Sequence, residues 1–347
     1  MGAAVPVTAA LAAAQAGSVG IGFSGGGFLI PFFLGVIHVL YKDLGILSSN
    51  TPVAGGSAGS IVAMTANGVI NYESMLDEVH RLSAFCRGHG NCYGTLQSEV
   101  MASAERLLPP DAAERTNKQG RTYLQITYPS TLGLEPAQSR SVNKFKSRPD
   151  LISAVASSIY IPWWAGPRVV TEFRGDMVYD GSFNGPGPGF LPCPPNITYC
   201  VRVSSMPAGF SLGSFLVDIL TAGPAALPVL GPVLRTTIHG PNLPTHLANA
   251  AIAYLTGEKL SVASEPGQLA KLVHALLQLV TPGEGEADIW PGRRHKLPFS
   301  ELEWATGMIR PLEPAGIKAV FELGKAEALS WAQEAGFLKT TRNKNGA

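Results

Sequence analysis

From Ser18 to Ser205 the chain alternates short apolar runs with longer stretches in which apolar positions recur every three or four residues. The run over 18–23 is too short for a helix and reads as a buried strand. A glycine turn follows, and then a helix with Pro31 in its first turn and Gly45 as its stop signal. A second strand is predicted over 51–54 and a helix over 57–67, which together make the opening of a β-α-β unit. Helices are predicted over 72–85 and 98–107, and PPDAAERTNKQGR (109–121) reads as a surface connection. Strands resume over 123–128 and near 141–145, a helix begins at Asp150, a strand leads into Asp180, and another runs over 197–205. This alternation predicts an α/β fold with a mostly parallel sheet.

Outside that range the texture changes. Residues 1–16 are alanine-rich and carry no charge, and they read as a helix or a disordered leader. A core is expected over 17–205 and a helical C-terminal part packed on it over 206–338, with helices near 246–254, 266–279 and 314–335. The tail over 339–347 is expected to be disordered. The apolar segment 210–234 contains Pro224, Pro228 and Pro232, which argue against a bilayer span. It reads either as a core helix with a buried connection or as a flank of an acyl channel that dips into a lipid interface.

Composition narrows the function classes. Charged residues are 15% and the hydrophobic set 46%, so the surface is expected to be apolar enough for contact with lipid or with a partner. A net charge of +1 gives no case for a nucleic-acid partner. Before Lys42 no charge occurs, and the positive region of a signal peptide is missing. Cys86 with Cys92 and Cys193 with Cys200 do not have metal-site or redox spacing, and free thiols are expected.

Two glycine-rich stretches carry the candidate chemistry. GIGFSGGG at 20–27 contains G-x-G-x-x-G at Gly20, Gly22 and Gly25, a pattern that cradles dinucleotide phosphates when it joins a strand to a helix. Gly55-Gly56-Ser57-Ala58-Gly59 matches G-x-S-x-G, in which a sharp strand-to-helix turn exposes a nucleophilic serine. An ordinary glycine turn with a serine N-cap is the competing reading. Ser57 needs a base, and Asp180-Gly181 at a strand end is a candidate, with an Asp-Gly hairpin turn as the alternative. His239, His246, His274 and His295 lie downstream, none with a distinctive context.

Together SGGGFLIPFFLGVIHVLYKDLGI, GGSAGS, LISAVASSIYIPWWAGP and YDGSF resemble the patatin-like phospholipases, in particular their adiponutrin-like branch. The resemblance implies a three-layer α/β/α fold and a serine lipid acyl hydrolase that uses a Ser-Asp dyad without histidine. Ser57 matches the nucleophile, Asp180 the base, Gly55 and Gly59 the elbow, and Gly25, Gly26 and Gly27 the oxyanion hole. No cofactor or metal is implied. The expected partners are a glycerolipid substrate and a membrane or lipid-droplet surface, with peripheral cytoplasmic association. A non-catalytic lipid-binding protein of the same fold and a lipid acyltransferase are the alternatives. Trp163 and Trp164 are candidates for an acyl pocket, with core packing as the competing reading. Leu29 stands where the family pattern carries Arg or Lys, which predicts a more apolar mouth.

Overall fold

The computed structural model describes residues 8–129, 137–162, 164–168, 170–182, 191–208 and 286–338. Among the described residues a mixed, mostly parallel sheet of seven strands is flanked by helices. Strands β1 (Val19–Phe23), β2 (Val53–Gly56) and β3 (Thr122–Tyr128) are parallel neighbours, and β7 (Tyr199–Val203) adds parallel to the free side of β1. β4 (Gln138–Val142) and β6 (Asp176–Asp180) both run antiparallel to β3, and β5 (Thr171–Phe173) completes a hairpin with β6. The β1 run VGIGF is buried throughout, as expected of a strand covered on both faces.

The described helices are α1 (Ala9–Gln15), α2 (Ile30–Ile37), α3 (Ala58–Ala66), α4 (Tyr72–Gly88), α5 (Leu96–Leu107), α6 (Ala112–Gln119), α7 (Arg148–Ser158), α8 (Glu301–Gly307) and α9 (Pro314–Glu334), of which α6 and α8 were not expected. A π-helical turn over His38–Asp43 extends α2 to the predicted stop at Gly45, which is left-handed at φ 58°. Where the N-terminal stretch is described it takes the helical reading. Thr8 caps α1 and its hydroxyl also donates to the Ala335 carbonyl beyond α9, at 2.6 Å. α9 crosses α2 with backbones almost touching, because a Cβ on Gly35 would lie 2.1 Å from the Phe321 carbonyl oxygen, and one on Gly324 2.1 Å from that of Phe32.

Three expectations are corrected here. The stretch 109–121 contains α6, a helix whose buried stripe is only Ala112, Ala113 and Thr116, so polar residues dominate its pattern. β4 lies a few residues earlier than predicted. The cysteines are not free: Cys86 is bonded to Cys92 and Cys193 to Cys200. Left-handed backbone at Gly90, Asn91 and Cys92 folds the chain back on the end of α4, which spacing alone does not reveal. The predicted helices over 246–254 and 266–279, the segment 210–234, Trp163 and the tail lie outside the described residues.

Candidate active site

The sheet itself brings Ser57 and Asp180 together. β4 covers Leu124 to Tyr128 along one edge of β3, so β2 and β6, which overlap it in register, must share the other edge. β2 reaches its last residue, Gly56, opposite Gln125, and β6 reaches its last residue, Asp180, opposite Ile126. Two strands thus end head to head on adjacent residues of β3. The residue after each is forced into the same space, and a Cβ on Gly56 would lie 3.5 Å from the Gly181 carbonyl carbon.

Ser57 occupies the corner between β2 and α3 with φ 53° and ψ −128°, a conformation that costs a residue with a Cβ about 1–3 kcal/mol. The surrounding glycines are needed for contact distance. A Cβ on Gly55 would meet the Gly59 carbonyl oxygen at 2.1 Å, and one on Gly59 would meet those of Phe23 and Ser24 at 2.4 and 2.6 Å. The strain is held by hydrogen bonds. The Ser57 N–H donates to Ser158 Oγ at 3.0 Å, whose hydroxyl donates to the Gln125 carbonyl at 2.7 Å. The same end of α7 also fixes the partner, because Gly181 N–H donates to the Ser158 carbonyl at 3.0 Å and Asp180 N–H to that of Tyr160 at 2.9 Å.

Asp180 is 1% exposed. Its Oδ1 accepts from the Ser182 N–H at 2.8 Å, while Oδ2 has no bond of normal hydrogen-bond geometry. Burial pushes its carboxyl up to about 7, against the opposing pull of the Ser57 hydroxyl and then of the Ser182 backbone and hydroxyl. The carboxylate is therefore basic enough to accept a proton near neutral pH, and the hydroxyl that acts on it most strongly belongs to Ser57. No hydrogen bond joins a histidine to either residue among the described residues; His295 Nε2 pairs instead with Ser330 Oγ at 2.9 Å.

The glycine turn lies against Ser57. A Cβ on Gly25 would sit 3.2 Å from Ser57 Cβ, and Gly27 takes a left-handed φ of 51°. The Gly25 carbonyl is turned away from the serine, accepting from the hydroxyls of Ser24 at 2.7 Å and Ser205 at 2.8 Å. Among the described residues, the N–H groups of Gly25, Gly26 and Gly27 donate to no acceptor, and neither does that of Ala58 at the start of α3. Such a cluster of free donors beside a hydroxyl can receive a developing oxyanion. Gly20 and Gly22, the other half of the G-x-G-x-x-G pattern, serve packing. Their missing side chains make room for Pro194, whose Cγ would be 2.6 Å from a Cβ on Gly20, and for the Pro192 carbonyl oxygen, 2.0 Å from one on Gly22.

Other predicted residues fall elsewhere. Trp164 is buried in the core, edge-on to Tyr93 with ring centroids 5.6 Å apart. Leu29 does not form an apolar mouth: it is fully buried, and a Cβ on Gly307 of α8 would contact its Cδ2 at 3.4 Å. Ser24, Ser158, Ser182 and Ser205 were not picked out from the sequence. Ser158 and Ser182 lie inside the quoted stretches LISAVASSIY and YDGSF, so their place in ordered motifs was the available signal.

No family model matches the chain. Over 172 residues it is 29% identical to human patatin-like phospholipase domain-containing protein 4, an alignment that covers 47% of this chain and 64% of that protein. The chain thus spans less than two thirds of the length of this relative. With the sheet and flanking helices described above, this match supports a patatin-like relationship.

Proposed function

We propose that the chain is a serine lipid acyl hydrolase, of the adiponutrin-like branch, that cleaves glycerolipid esters through an acyl-enzyme on Ser57. The observation that carries this reading is the buried carboxylate of Asp180, with Oδ2 unpartnered, beside a strained serine and a set of unpaired backbone N–H groups. The name of the human relative, a patatin-like phospholipase, supports a lipid ester as the substrate. In the proposed reaction Asp180 Oδ2 takes the Ser57 proton as Oγ bonds to the ester carbon. Charge then gathers on the carbonyl oxygen, facing the N–H groups of Gly25, Gly26 and Gly27. Collapse expels the glycerolipid alkoxide, which recovers the proton from Asp180, and water repeats the sequence on the acyl-enzyme.

Peripheral association with a membrane or lipid droplet, from the cytoplasmic side, is part of the proposal, because the substrate stays in the lipid phase. No helix among the described residues is long and apolar enough to cross a membrane. An activity-based fluorophosphonate, combined with hydrolysis of a glycerolipid panel, tests the reading. Wild type is expected to label and turn over, and Ser57→Ala to do neither. An unlabelled wild type would favour the non-catalytic lipid-binding alternative.

A further inference from the structure

Asp180, Ser57 and the glycine turn leave one hydroxyl at the site without an assigned role. Ser182 is 7% exposed, and among the described residues its Oγ has no hydrogen-bond partner at normal geometry. A buried hydroxyl without a partner is costly, and native structures keep few of them away from sites where something else supplies the partner. Its position is fixed from two sides. The Ser182 N–H donates to Asp180 Oδ1 at 2.8 Å, and the preceding Gly181 is pressed into β3, where a Cβ would lie 2.1 Å from the Gln125 carbonyl oxygen. The Gly181 carbonyl is tied as well, accepting from Ser139 Oγ at 3.1 Å. The backbone leading into the Ser182 hydroxyl is therefore held through both Gly181 and the Ser182 N–H.

The hydroxyl points at the glycine turn. A Cβ built on Gly25 would be 2.3 Å from Ser182 Oγ and 3.2 Å from Ser57 Cβ, so the two serines flank the same glycine. Gly25 offers the hydroxyl no acceptor, because its carbonyl is already occupied by Ser24 and Ser205. The nearby carboxylate feels the hydroxyl only weakly: its pull is the last of those that oppose the rise of the Asp180 pKa, and no hydrogen bond of normal geometry joins Oγ to Oδ2. What remains beside Gly25 is the space in which the acyl carbonyl would meet Ser57.

We propose that Ser182 is a further catalytic residue, whose hydroxyl donates a hydrogen bond to the carbonyl oxygen of the bound ester alongside the Gly25 N–H. The inference rests on the hydrolase reading. As Ser57 Oγ bonds to the carbonyl carbon and its proton moves to Asp180, the carbonyl electron pair shifts onto oxygen, and Ser182 shares its own proton with that oxygen without giving it up. When the tetrahedral intermediate collapses, the pair returns to the carbonyl and the hydroxyl is freed. The donation is strongest in the transition state, so its loss should appear in kcat and not in KM.

The experiment compares wild type, Ser182→Ala, Ser182→Cys and Ser57→Ala on p-nitrophenyl butyrate across a pH series, with melting temperatures measured alongside. Ser182→Ala is expected to lower the plateau kcat by about 10- to 100-fold, with KM within about twofold, melting unchanged, and only a small shift of the acid limb toward higher pH, because the hydroxyl is the least of the groups that hold the Asp180 carboxyl down. Ser182→Cys, which keeps the shape and a weaker donor, should fall between the two and carries the test if the alanine variant does not fold. An unchanged kcat in Ser182→Ala overturns the proposal. So does a displaced acid limb with a normal plateau, which would show that the hydroxyl serves Asp180 and not the ester. If wild type has no hydrolysis that depends on Ser57, the hydrolase reading falls and the role of Ser182 falls with it; an active wild type beside a fully active Ser182→Ala overturns only the latter.

Discussion

Glu78 on α4 and Asp180 at the end of β6 are both buried carboxylates, yet their surroundings are opposites. Glu78 accepts two hydrogen bonds from Arg81, at 2.9 and 2.6 Å, and one from Arg106 at 2.7 Å. Burial there works to raise its pKa, but the bonds from Arg81, Arg106 and then Ser103 overcome it and hold the carboxyl down at about 2. Among the described residues no cation acts on Asp180, burial prevails, and the carboxyl moves the other way, to about 7. The contrast separates a carboxylate that secures structure from one kept available for a proton. A site needed only for stability has no reason to leave Oδ2 bare.

The contrast breaks most sharply if the two residues are interchangeable in function. On the proposed reading Ser57→Ala and Asp180→Asn should each reduce ester turnover by about a thousandfold or more, because a nucleophile and its base act as a unit. Glu78→Gln should leave most of it, as should His295→Ala. A spectrophotometric assay of the purified variants decides, and a Glu78 variant as inactive as Asp180→Asn would remove the distinction.

A pH series sharpens the same point. Asp180 must be ionised to accept the Ser57 proton, so kcat/KM of the free enzyme should rise with pH through about 7, falling roughly tenfold for each unit below that midpoint. An acid limb centred near pH 4 would mean that Asp180 is not held in the apolar surroundings described here.

Next in size is Ser158→Ala. It removes the acceptor of the strained Ser57 N–H, 3.0 Å away, together with the donor to the Gln125 carbonyl. An orphaned buried donor costs about 1–3 kcal/mol, so a lower melting temperature and about a tenfold drop in kcat are expected. Gly26→Val belongs to the same class by a different cause. Gly26 has an extended φ of −175°, open to any residue, and the obstacle is Ser205 Oγ, 2.4 Å from an added Cβ. The turn should shift and activity fall with the fold retained.

The ease with which each of these features could be read from the sequence follows from its physical range. β1, β2, α3 and α4 announce themselves through local periodicity and caps, and Ser57 through a glycine pattern imposed by contacts within a few residues of it. From its own surroundings in the sequence Asp180 was legible only as a strand end, and the resemblance carried by YDGSF was needed to link it to Ser57, since their meeting depends on where two strands stop along β3. Ser158 and Ser182 reach the site through contacts that sequence spacing does not encode: Ser158 is 101 positions from Ser57, and the Gly25 that Ser182 approaches lies in the first turn after β1. α6 was hidden because three buried side chains are enough to dock a helix whose other positions are polar.

The smallest expected effect is thermodynamic, and it has opposite signs at the two carboxylates. Asp180 has a folded pKa raised above its unfolded value near 4, so the native state binds more protons, and its contribution to stability is lost as pH rises from about 4 to about 7. Above pH 7 the ionised, buried side chain costs on the order of 4 kcal/mol. Asp180→Asn should therefore melt higher than wild type at pH 8 while being inactive, and the gain should vanish at pH 4. Glu78 has a depressed folded pKa, so its contribution is present above its unfolded value near 4.5 and is lost as pH falls toward about 2. Because Arg81 and Arg106 are each more than 40% exposed, screening limits that contribution to about 1–2 kcal/mol. Glu78→Gln should thus melt lower than wild type at pH 7 and converge with it near pH 2. Differential scanning fluorimetry of the two variants at pH 4 and 8, with circular dichroism at the acid end, reads both signs, and stabilisation of Glu78→Gln at pH 7 would reverse the assignment of the two roles.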